Sequence, residues 1–233
     1  MNMNRSNGSA TARDQATLDF YEKEAPAYVV GGKGGVSRWL DDFARALPAG
    51  ARILELGCGG GRDAEALLAQ GFDVDATDGA PAMAAKAQER LGRPVKVMRF
   101  DELSDVGTYD GVWANASLLH VPRAALGGVL ALILGALKPG GLFFASYKAG
   151  EAAGRDGLGR YYNYPDRDAL SEAYAQSGRW DTLSATEYTS GGYDGVRGPW
   201  IAVIAQKPRM TPLDHQVSPF KLEPAEPGPA KAT

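Results

Sequence analysis

The feature that most constrains the fold is a short apolar run that ends in alternating glycines. Residues 53–56 form the run, Gly57, Gly59 and Gly61 follow it, and a helix-forming segment begins at Asp63. This order predicts a strand, a tight turn and a helix. Alternate glycines omit the Cβ atoms that would keep a ligand off the backbone, and they permit the positive φ of a sharp turn. The loop is therefore predicted to hold a flat, polar small molecule.

Two ligand classes use such a loop, and Glu55 favours one of them. Dinucleotide-binding folds use a nearly identical turn to hold a pyrophosphate. Glu55 stands two residues before Gly57, where a carboxylate would repel a pyrophosphate and attract a cation. The string Glu-Leu-Gly-Cys-Gly-Gly-Gly that starts there resembles motif I of the class I S-adenosylmethionine-dependent methyltransferases, whose cofactor carries a sulfonium and an ammonium. An ordinary strand-to-helix turn with an incidental glutamate is the alternative.

A second acidic residue follows at the spacing that nucleotide binding requires. Asp78 ends an alternating segment 21 residues beyond Gly57, the distance at which a βαβ unit places a carboxylate for the ribose hydroxyls. The order Asp-Gly-Ala-Pro-x-Met from that point resembles the family's second motif. A third strand is predicted over residues 95–100, and the resemblance implies that Asp101, with Glu102 beside it, recognises the adenine amino group. Incidental acidic turn residues are the alternative.

The resemblance extends without a break over residues 51–147. A fourth strand is predicted at 109–115, a helix with an apolar stripe at 126–137, and a fifth strand at 142–147 after Leu-Lys-Pro-Gly-Gly. Before this core, a helix over 15–28 resembles the lid segment that covers the methyl donor in small-molecule methyltransferases. The cofactor-binding set that the resemblance implies is Tyr28, Glu55, Gly57, Cys58, Gly59, Gly61, Asp78, Asp101, Glu102 and Asn115, the last through its backbone.

Catalytic residues are harder to predict, because in-line methyl transfer depends on position and on exclusion of water more than on acids and bases. His120 is the one candidate base in the folded region, since His215 lies in the predicted tail. A structural histidine at the turn before Pro122 is the favoured alternative. Tyr161 and Tyr162 open an insert in which such enzymes often build the acceptor pocket, so they are predicted, with His120, to face the acceptor.

Composition excludes several other functions. The net charge of −3 offers no basic surface to nucleic acid. Cys58 is the only cysteine and no Cys/His cluster has metal-ligand spacing, so no metal is predicted. A helix N-terminus beside Cys58 would lower its pKa, but contact with the ligand through the Cys58 backbone is the favoured alternative. No signal peptide or membrane span is apparent, so a cytoplasmic location is expected. The oligomeric state is left open.

We therefore predict an α/β fold with a Rossmann-like, seven-stranded, mostly parallel sheet whose last strand is reversed. Residues 1–13 are expected to be disordered, and 208–233, with six prolines, to form a disordered tail. The domain between them divides into lid helices (14–50, with a second helix at 36–47 and a glycine hinge at 31–35), the cofactor-binding core (51–147), an acceptor-side insert and helix (148–181) and a closing hairpin (182–207).

The resemblance implies transfer of a methyl group from S-adenosylmethionine to an O, N or S atom of a small molecule. The chain is similar to the ubiquinone-biosynthesis and tellurite-resistance branches, whose substrates do not carry over on fold-level likeness. An NAD(P)-dependent oxidoreductase is one alternative, disfavoured by Glu55 and by the closing hairpin. A regulatory module that binds S-adenosylmethionine without catalysis is another.

Overall fold

The structure is a computed structural model that describes residues 11–31 and 35–209. Its strands, in chain order, are β1 (Arg52–Leu56), β2 (Asp73–Asp78), β3 (Lys96–Val97), β4 (Tyr109–Ala114), β5 (Leu137–Lys148), β6 (Gly154–Arg155), β7 (Tyr161–Tyr162), β8 (Thr182–Gly191) and β9 (Arg197–Gln206). Its helices are α1 (Gln15–Gly31), α2 (Leu40–Arg45), α3 (Arg62–Ala69), α4 (Pro81–Leu91), α5 (Arg123–Ala136) and α6 (Arg167–Ser177). Short 3-10 turns cover Phe100–Glu102 and Leu118–His120.

Seven of these strands form one sheet in the order β3-β2-β1-β4-β5-β9-β8, while β6 and β7 pair separately. The strands from β3 to β5 pair in parallel. β9 runs antiparallel to both of its neighbours, β5 and β8. The predicted α/β fold with a reversed last strand is confirmed. The strand order changes direction between β1 and β4, and ligands of open α/β sheets bind outside the carboxyl ends of the strands at such a switch point.

Alternating side chains of the central strands supply both hydrophobic cores. Leu54 and Leu56 of β1 pack into the core that also holds the apolar stripe of α5. Ile53, one residue before Leu54, packs with α2 and α3 on the opposite face. All three side chains are at most 1% exposed, because a central strand of a parallel sheet is covered on both faces. The resulting rigid β1 fixes where the glycine loop begins.

Several element boundaries differ from the prediction, and β5 begins at Leu137 rather than at residue 142. α1 continues through Pro26 to Gly31, because Ala25 and its neighbours on that face pack against α4. α2 begins only at Leu40, since the Ser37 backbone N–H, 2.9 Å from Asp63 Oδ1, binds a side chain. β3 is limited to two residues: it lies at the sheet edge, pairs only with the end of β2 and leaves Val97 52% exposed.

Both predicted disordered ends lie largely outside the described residues, which exclude 1–10 and 210–233. The predicted hinge at 31–35 lies partly outside them, because residues 32–34 are also excluded. Order was expected to start at Asp14, but packing begins earlier. Ala12 is buried, with only 8% of its surface exposed. At the other end the Gly140 N–H donates to the carbonyl of Lys207. Within the described ranges, every helix is too short or too polar to cross a membrane.

Candidate functional site

One cavity of about 720 Å³, counted with its open mouth, lies at the carboxyl ends of β1, β2 and β4 and is covered by α1. Its walls come from the glycine loop, the end of β2, the segment after β3, the turn after β4, and α1 with the residues before it. In that order they include Gly57, Gly59, Asp78, Gly79, Met98, Arg99, Phe100, Ala116, Ser117, His120, Ala12, Arg13, Asp14, Leu18, Tyr21 and Tyr28.

The glycine loop lies so close to the turn after β4 that a side chain at Gly57 would not fit. The backbone N–H groups of Gly57 and Cys58 donate to the Thr77 carbonyl at 2.9 and 2.8 Å, which ties the loop to β2. Gly57 has φ +73°, and a Cβ there would stand 2.6 Å from the Cβ of Ser117. The loop thus presents bare backbone to the cavity.

Asp78 holds the loop and lines the cavity at the same time. Its Oδ2 accepts the Gly59 N–H and its Oδ1 accepts the Ala80 N–H, both at 2.9 Å. Burial raises the pKa of Asp78 to about 6, and these backbone hydrogen bonds oppose the shift. A carboxylate has about four acceptor sites, so each oxygen keeps capacity for a ligand hydroxyl.

Glu55 does not line the cavity, contrary to the expectation that its carboxylate faces the ligand. It is 4% exposed, the Ala64 N–H donates to it, and its Oε2 has no partner among the described residues. Burial, with Asp63 and Asp78 nearby, raises its pKa well above the ordinary value. Glu55 therefore lies beneath the loop, in an environment that favours the protonated acid.

Cys58 and Gly61 also face away from the cavity. Burial is the main reason that the pKa of the Cys58 thiol is raised, which is opposite to the lowering that a helix N-terminus would cause. A Cβ at Gly61 would meet Ala87 of α4 at 3.2 Å, which makes Gly61 a contact between helices. Both residues support the loop from behind.

Asp101 and Glu102 are exposed and turned outward, contrary to the prediction that they contact the ligand. Arg99 pairs with Asp101 at 3.3 Å and with Glu102 at 2.9 Å, and the 3-10 turn that replaces the expected strand end swings both side chains toward solvent. The wall at this end of the cavity is instead apolar, made by Met98, Phe100 and Leu18. Phe100, adjacent to the predicted acid, was missed.

Asn115, predicted to contact the cofactor through its backbone, is not among the residues that line the cavity. Its Oδ1 accepts from the Ser146 hydroxyl at 2.8 Å, and its Nδ2 donates to Asp63 at 3.2 Å. Asp63 also accepts the Trp113 indole N–H at 2.9 Å. Sequence patterns assigned Asp63 no role beyond opening a helix. In the structure it fixes the end of β4, after which Ala116, with φ +54°, forms part of the cavity wall.

Tyr28 and Tyr21 of α1 both line the cavity. The Tyr28 ring stacks on Tyr193, in the turn between β8 and β9, with centroids 4.6 Å apart. Tyr21 packs edge-on against Tyr28 at 5.4 Å. Helical spacing of these aromatic residues is the signal by which Tyr21 could also have been found.

His120 lines the cavity, but both of its ring nitrogens are engaged. Nδ1 lies 2.6 Å from the Tyr161 carbonyl, which can only accept, so Nδ1 carries the proton. Nε2 therefore accepts the hydroxyl of Tyr21 at 2.9 Å. Burial lowers the pKa of His120 to about 4, so the ring is neutral near pH 7.

Tyr161 and Tyr162 do not line the cavity, because they form a layer behind His120. The Tyr162 ring lies 4.6 Å from the His120 ring. Arg160, 1% exposed, lies over Tyr162, pairs with Asp156 at 2.7 Å and donates to the Tyr21 hydroxyl at 3.0 Å. A buried ion pair thus fixes Tyr21, and through it His120. Across the described ranges, no three His, Cys, Asp or Glu side chains cluster as metal ligands would.

Comparison with known proteins agrees with this geometry. Residues 53–141 match the family model of a methyltransferase domain. The chain is 36% identical over 110 residues to the ubiquinone biosynthesis O-methyltransferase of Xanthomonas axonopodis pv. citri, covering 44% of this chain and 45% of the relative. It is 41% identical over 106 residues to the trans-aconitate 2-methyltransferase of Variovorax paradoxus, covering 41% and 38%. The matches therefore span less than half of either relative's length.

A solved structure shares the fold over most of the chain. The 1,6-didemethyltoxoflavin-N1-methyltransferase of Burkholderia thailandensis, solved with its substrate and S-adenosylhomocysteine, superposes with a TM-score of 0.60. The alignment covers 85% of this chain and 92% of that one at 21% identity.

Proposed function

We propose that this chain, as a member of the class I S-adenosylmethionine-dependent methyltransferase superfamily, transfers a methyl group from S-adenosylmethionine to an O, N or S atom of a small molecule. The observation that carries the proposal is Asp78, whose carboxylate lines the cavity while holding the glycine loop through the Gly59 N–H. That arrangement stands on a sheet with the reversed β9, a strand that the all-parallel dinucleotide fold lacks.

The residues around the cavity suit this cofactor. Gly57 and Gly59 carry no side chain, so the cofactor can approach their backbone closely. A Cβ at Gly57 would collide with the opposite wall of the cavity. Asp78 offers two oxygens to the ribose hydroxyls, and the apolar wall that includes Met98 and Phe100 offers a surface for the adenine ring. Of the predicted cofactor residues, we retain Tyr28, Gly57, Gly59 and Asp78 as direct contacts. Glu55, Cys58 and Gly61 support the loop, and Asn115 supports the turn after β4.

S-adenosylmethionine, when bound, supplies a methyl group on a sulfonium for in-line displacement by the acceptor. The protein contributes by positioning the reactants and by excluding water from the cavity. The glycine loop and Asp78 fix one reactant, while α1 covers the cavity through Tyr21 and Tyr28 and excludes water. Fixing reactants in this way lowers a barrier by up to about 7–11 kcal/mol.

His120 serves in this proposal as a positioning residue. Its Nε2 is occupied by the Tyr21 hydroxyl, and a pKa of about 4 makes it a weak base at neutral pH. The acceptor atom must therefore be nucleophilic without the help of His120. The small-molecule acceptor, the cytoplasmic location and the absence of a nucleic-acid partner remain predictions.

A thermal-shift panel tests the proposal, because a ligand that binds only the folded state raises its stability by RT ln(1 + [L]/Kd). We expect S-adenosylmethionine and S-adenosylhomocysteine to raise the melting temperature, and NAD and ATP to leave it unchanged. A shift with NAD alone would support the oxidoreductase alternative. Formation of S-adenosylhomocysteine with thiols, phenols, amines or carboxylic acids then separates an enzyme from a regulatory module that only binds.

A further inference from the structure

A second buried cation lies one layer behind the cavity wall, at the end of β5. Lys148 is the last residue of β5 and is 8% exposed. Its Nζ lies 4.5 Å from the centre of the Tyr162 ring, and that ring contacts His120 of the wall at 4.6 Å between centroids. Because β5 runs parallel to β4, its carboxyl end opens on the same edge of the sheet as the cavity.

The two buried cations of this region are held very differently. Three donors of Arg160 are committed to Asp156 and Tyr21, and Asp156 is fixed in turn by backbone N–H groups. Lys148 has one hydrogen-bond partner within the described ranges, Asp194, at 3.2 Å. An ammonium carries three donors, and taking one out of water with so few partners is costly. Arg160 is a fixed part of the framework, whereas Lys148 has unused binding capacity.

The partner of Lys148 stands on the turn that joins the two strands of the closing hairpin. Asp194 belongs to the β8–β9 turn, residues 192–196, which is joined by two internal backbone hydrogen bonds, from Gly192 to Val196 and from Gly195 to Gly192. Val196 is 64% exposed. The turn contacts α1 through Tyr193 and Tyr28, so the residues that cover Lys148 are continuous with those that cover the cavity.

We propose that Lys148 is the anion-binding residue of the acceptor pocket, and that the acceptor is a small molecule whose carboxylate takes the place of the Asp194 carboxylate. A monoanion matches the single displaceable cation, since Arg160 is already neutralised by Asp156. The Asp194 side chain is itself the chemical stand-in, a carboxylate seated on the ammonium. This inference rests on the proposed methyl transfer and specifies its substrate class.

The test compares acids with their neutral amides on full-length protein saturated with S-adenosylhomocysteine. Acetate, benzoate and 4-hydroxybenzoate are titrated beside acetamide, benzamide and 4-hydroxybenzamide, with binding followed by ligand-observed NMR. We expect at least one acid to bind at least about tenfold more tightly than its amide. Lys148→Met should remove this preference and Lys148→Arg should keep it. Lys138→Met, at the opposite end of β5 and paired with Asp110, should leave it unchanged.

The Asp194→Asn variant distinguishes the proposed anion subsite from an ion pair that serves only the fold. Asn keeps the oxygen that accepts the Val196 N–H but removes the competing charge, so acids should bind at least about threefold more tightly than to the parent. The same variant decides the question if Lys148→Met fails to fold. Acids and amides that bind alike to the parent, with no tightening in Asp194→Asn, would overturn the subsite. Loss of S-adenosylhomocysteine binding in the parent would instead contradict the proposed function.

Discussion

At the scale of single residues, Asp78 couples the shape of the cavity to its ligand. The carboxylate accepts the Gly59 and Ala80 amides, so removing it would release the loop as well as the proposed ribose contact. The carboxylate is also largely buried, unlike the solvated strand-end group that its sequence position suggested. Asn is therefore a better probe than Ala at this position, because the amide oxygen can still accept one backbone N–H.

The raised pKa of Asp78 predicts that ligand affinity depends on pH. Only the ionised carboxylate is a full acceptor for two hydroxyls, so affinity falls as pH drops through about 6. With that pKa, S-adenosylhomocysteine should bind about tenfold more weakly at pH 5 than on the plateau above pH 7. Calorimetry across this range checks the prediction. Asp78→Asn should give a flat profile; a profile in that variant as steep as the parent's would assign the titration to another group.

Gly57 provides a second test at this scale, through a clash that its matched control lacks. Gly57→Ala and Gly71→Ala both place a side chain at positive φ, which costs roughly 1–2 kcal/mol. Only Gly57→Ala also meets Ser117 at 2.6 Å, whereas nothing lies within 4 Å of a Cβ at Gly71. Gly57→Ala should therefore lose about 1–3 kcal/mol more unfolding free energy in urea titrations. Equal losses would show that the wall yields freely.

At the scale of elements, local patterns predicted the core correctly and its edges less well. Strands such as β1 and β4 are apolar runs next to turn residues, and their burial on both faces makes that pattern decisive. β3 and α2 were predicted too long because their lengths depend on distant partners, the end of β2 for one and Asp63 for the other. α1 was predicted too short, because its packing on α4 outweighs the cost of Pro26.

The cover formed by α1 leads to a prediction for Tyr28. Tyr28→Ala removes a ring that lines the cavity and stacks on Tyr193. S-adenosylhomocysteine should therefore dissociate about tenfold faster, which corresponds to about 1.4 kcal/mol of free energy. The melting temperature should change little. Stopped-flow displacement measures the rate. Val30→Ala, on the same helix with Val30 90% exposed, is the control. Identical rates for the parent and Tyr28→Ala would remove Tyr28 from the cover.

At the scale of the whole molecule, the sequence predicted the cofactor side of the site better than the acceptor side. The glycine loop and Asp78 belong to one local unit, so their spacing is visible along the chain. The Tyr21–His120 hydrogen bond joins residues 99 positions apart, and the Lys148–Asp194 pair spans 46. No local pattern encodes such contacts. Asp101 and Glu102 lie outside the cavity for a different reason, because both pair with the neighbouring Arg99 on a short 3-10 turn that directs them away from it.

Composition also predicts how the whole chain responds to truncation. Residues 210–233 are rich in proline and poor in large apolar side chains, and they lie outside the described residues. Cutting after Arg209 keeps the Gly140–Lys207 hydrogen bond and should shift the melting temperature by less than about 2 °C. Differential scanning calorimetry on both lengths makes the comparison. A larger drop would show that the segment stabilises the domain.

The most direct test of the central claim is calorimetric titration of S-adenosylhomocysteine into the parent, Asp78→Asn and Asp75→Asn. Asp75 lies on the same strand but pairs with Arg52 at 2.8 Å, away from the cavity. Charge-assisted hydrogen bonds contribute about 1.5–3 kcal/mol each, so Asp78→Asn should bind at least about tenfold more weakly. Asp75→Asn should match the parent. Equal dissociation constants for the two variants, or no binding by the parent, would contradict the account.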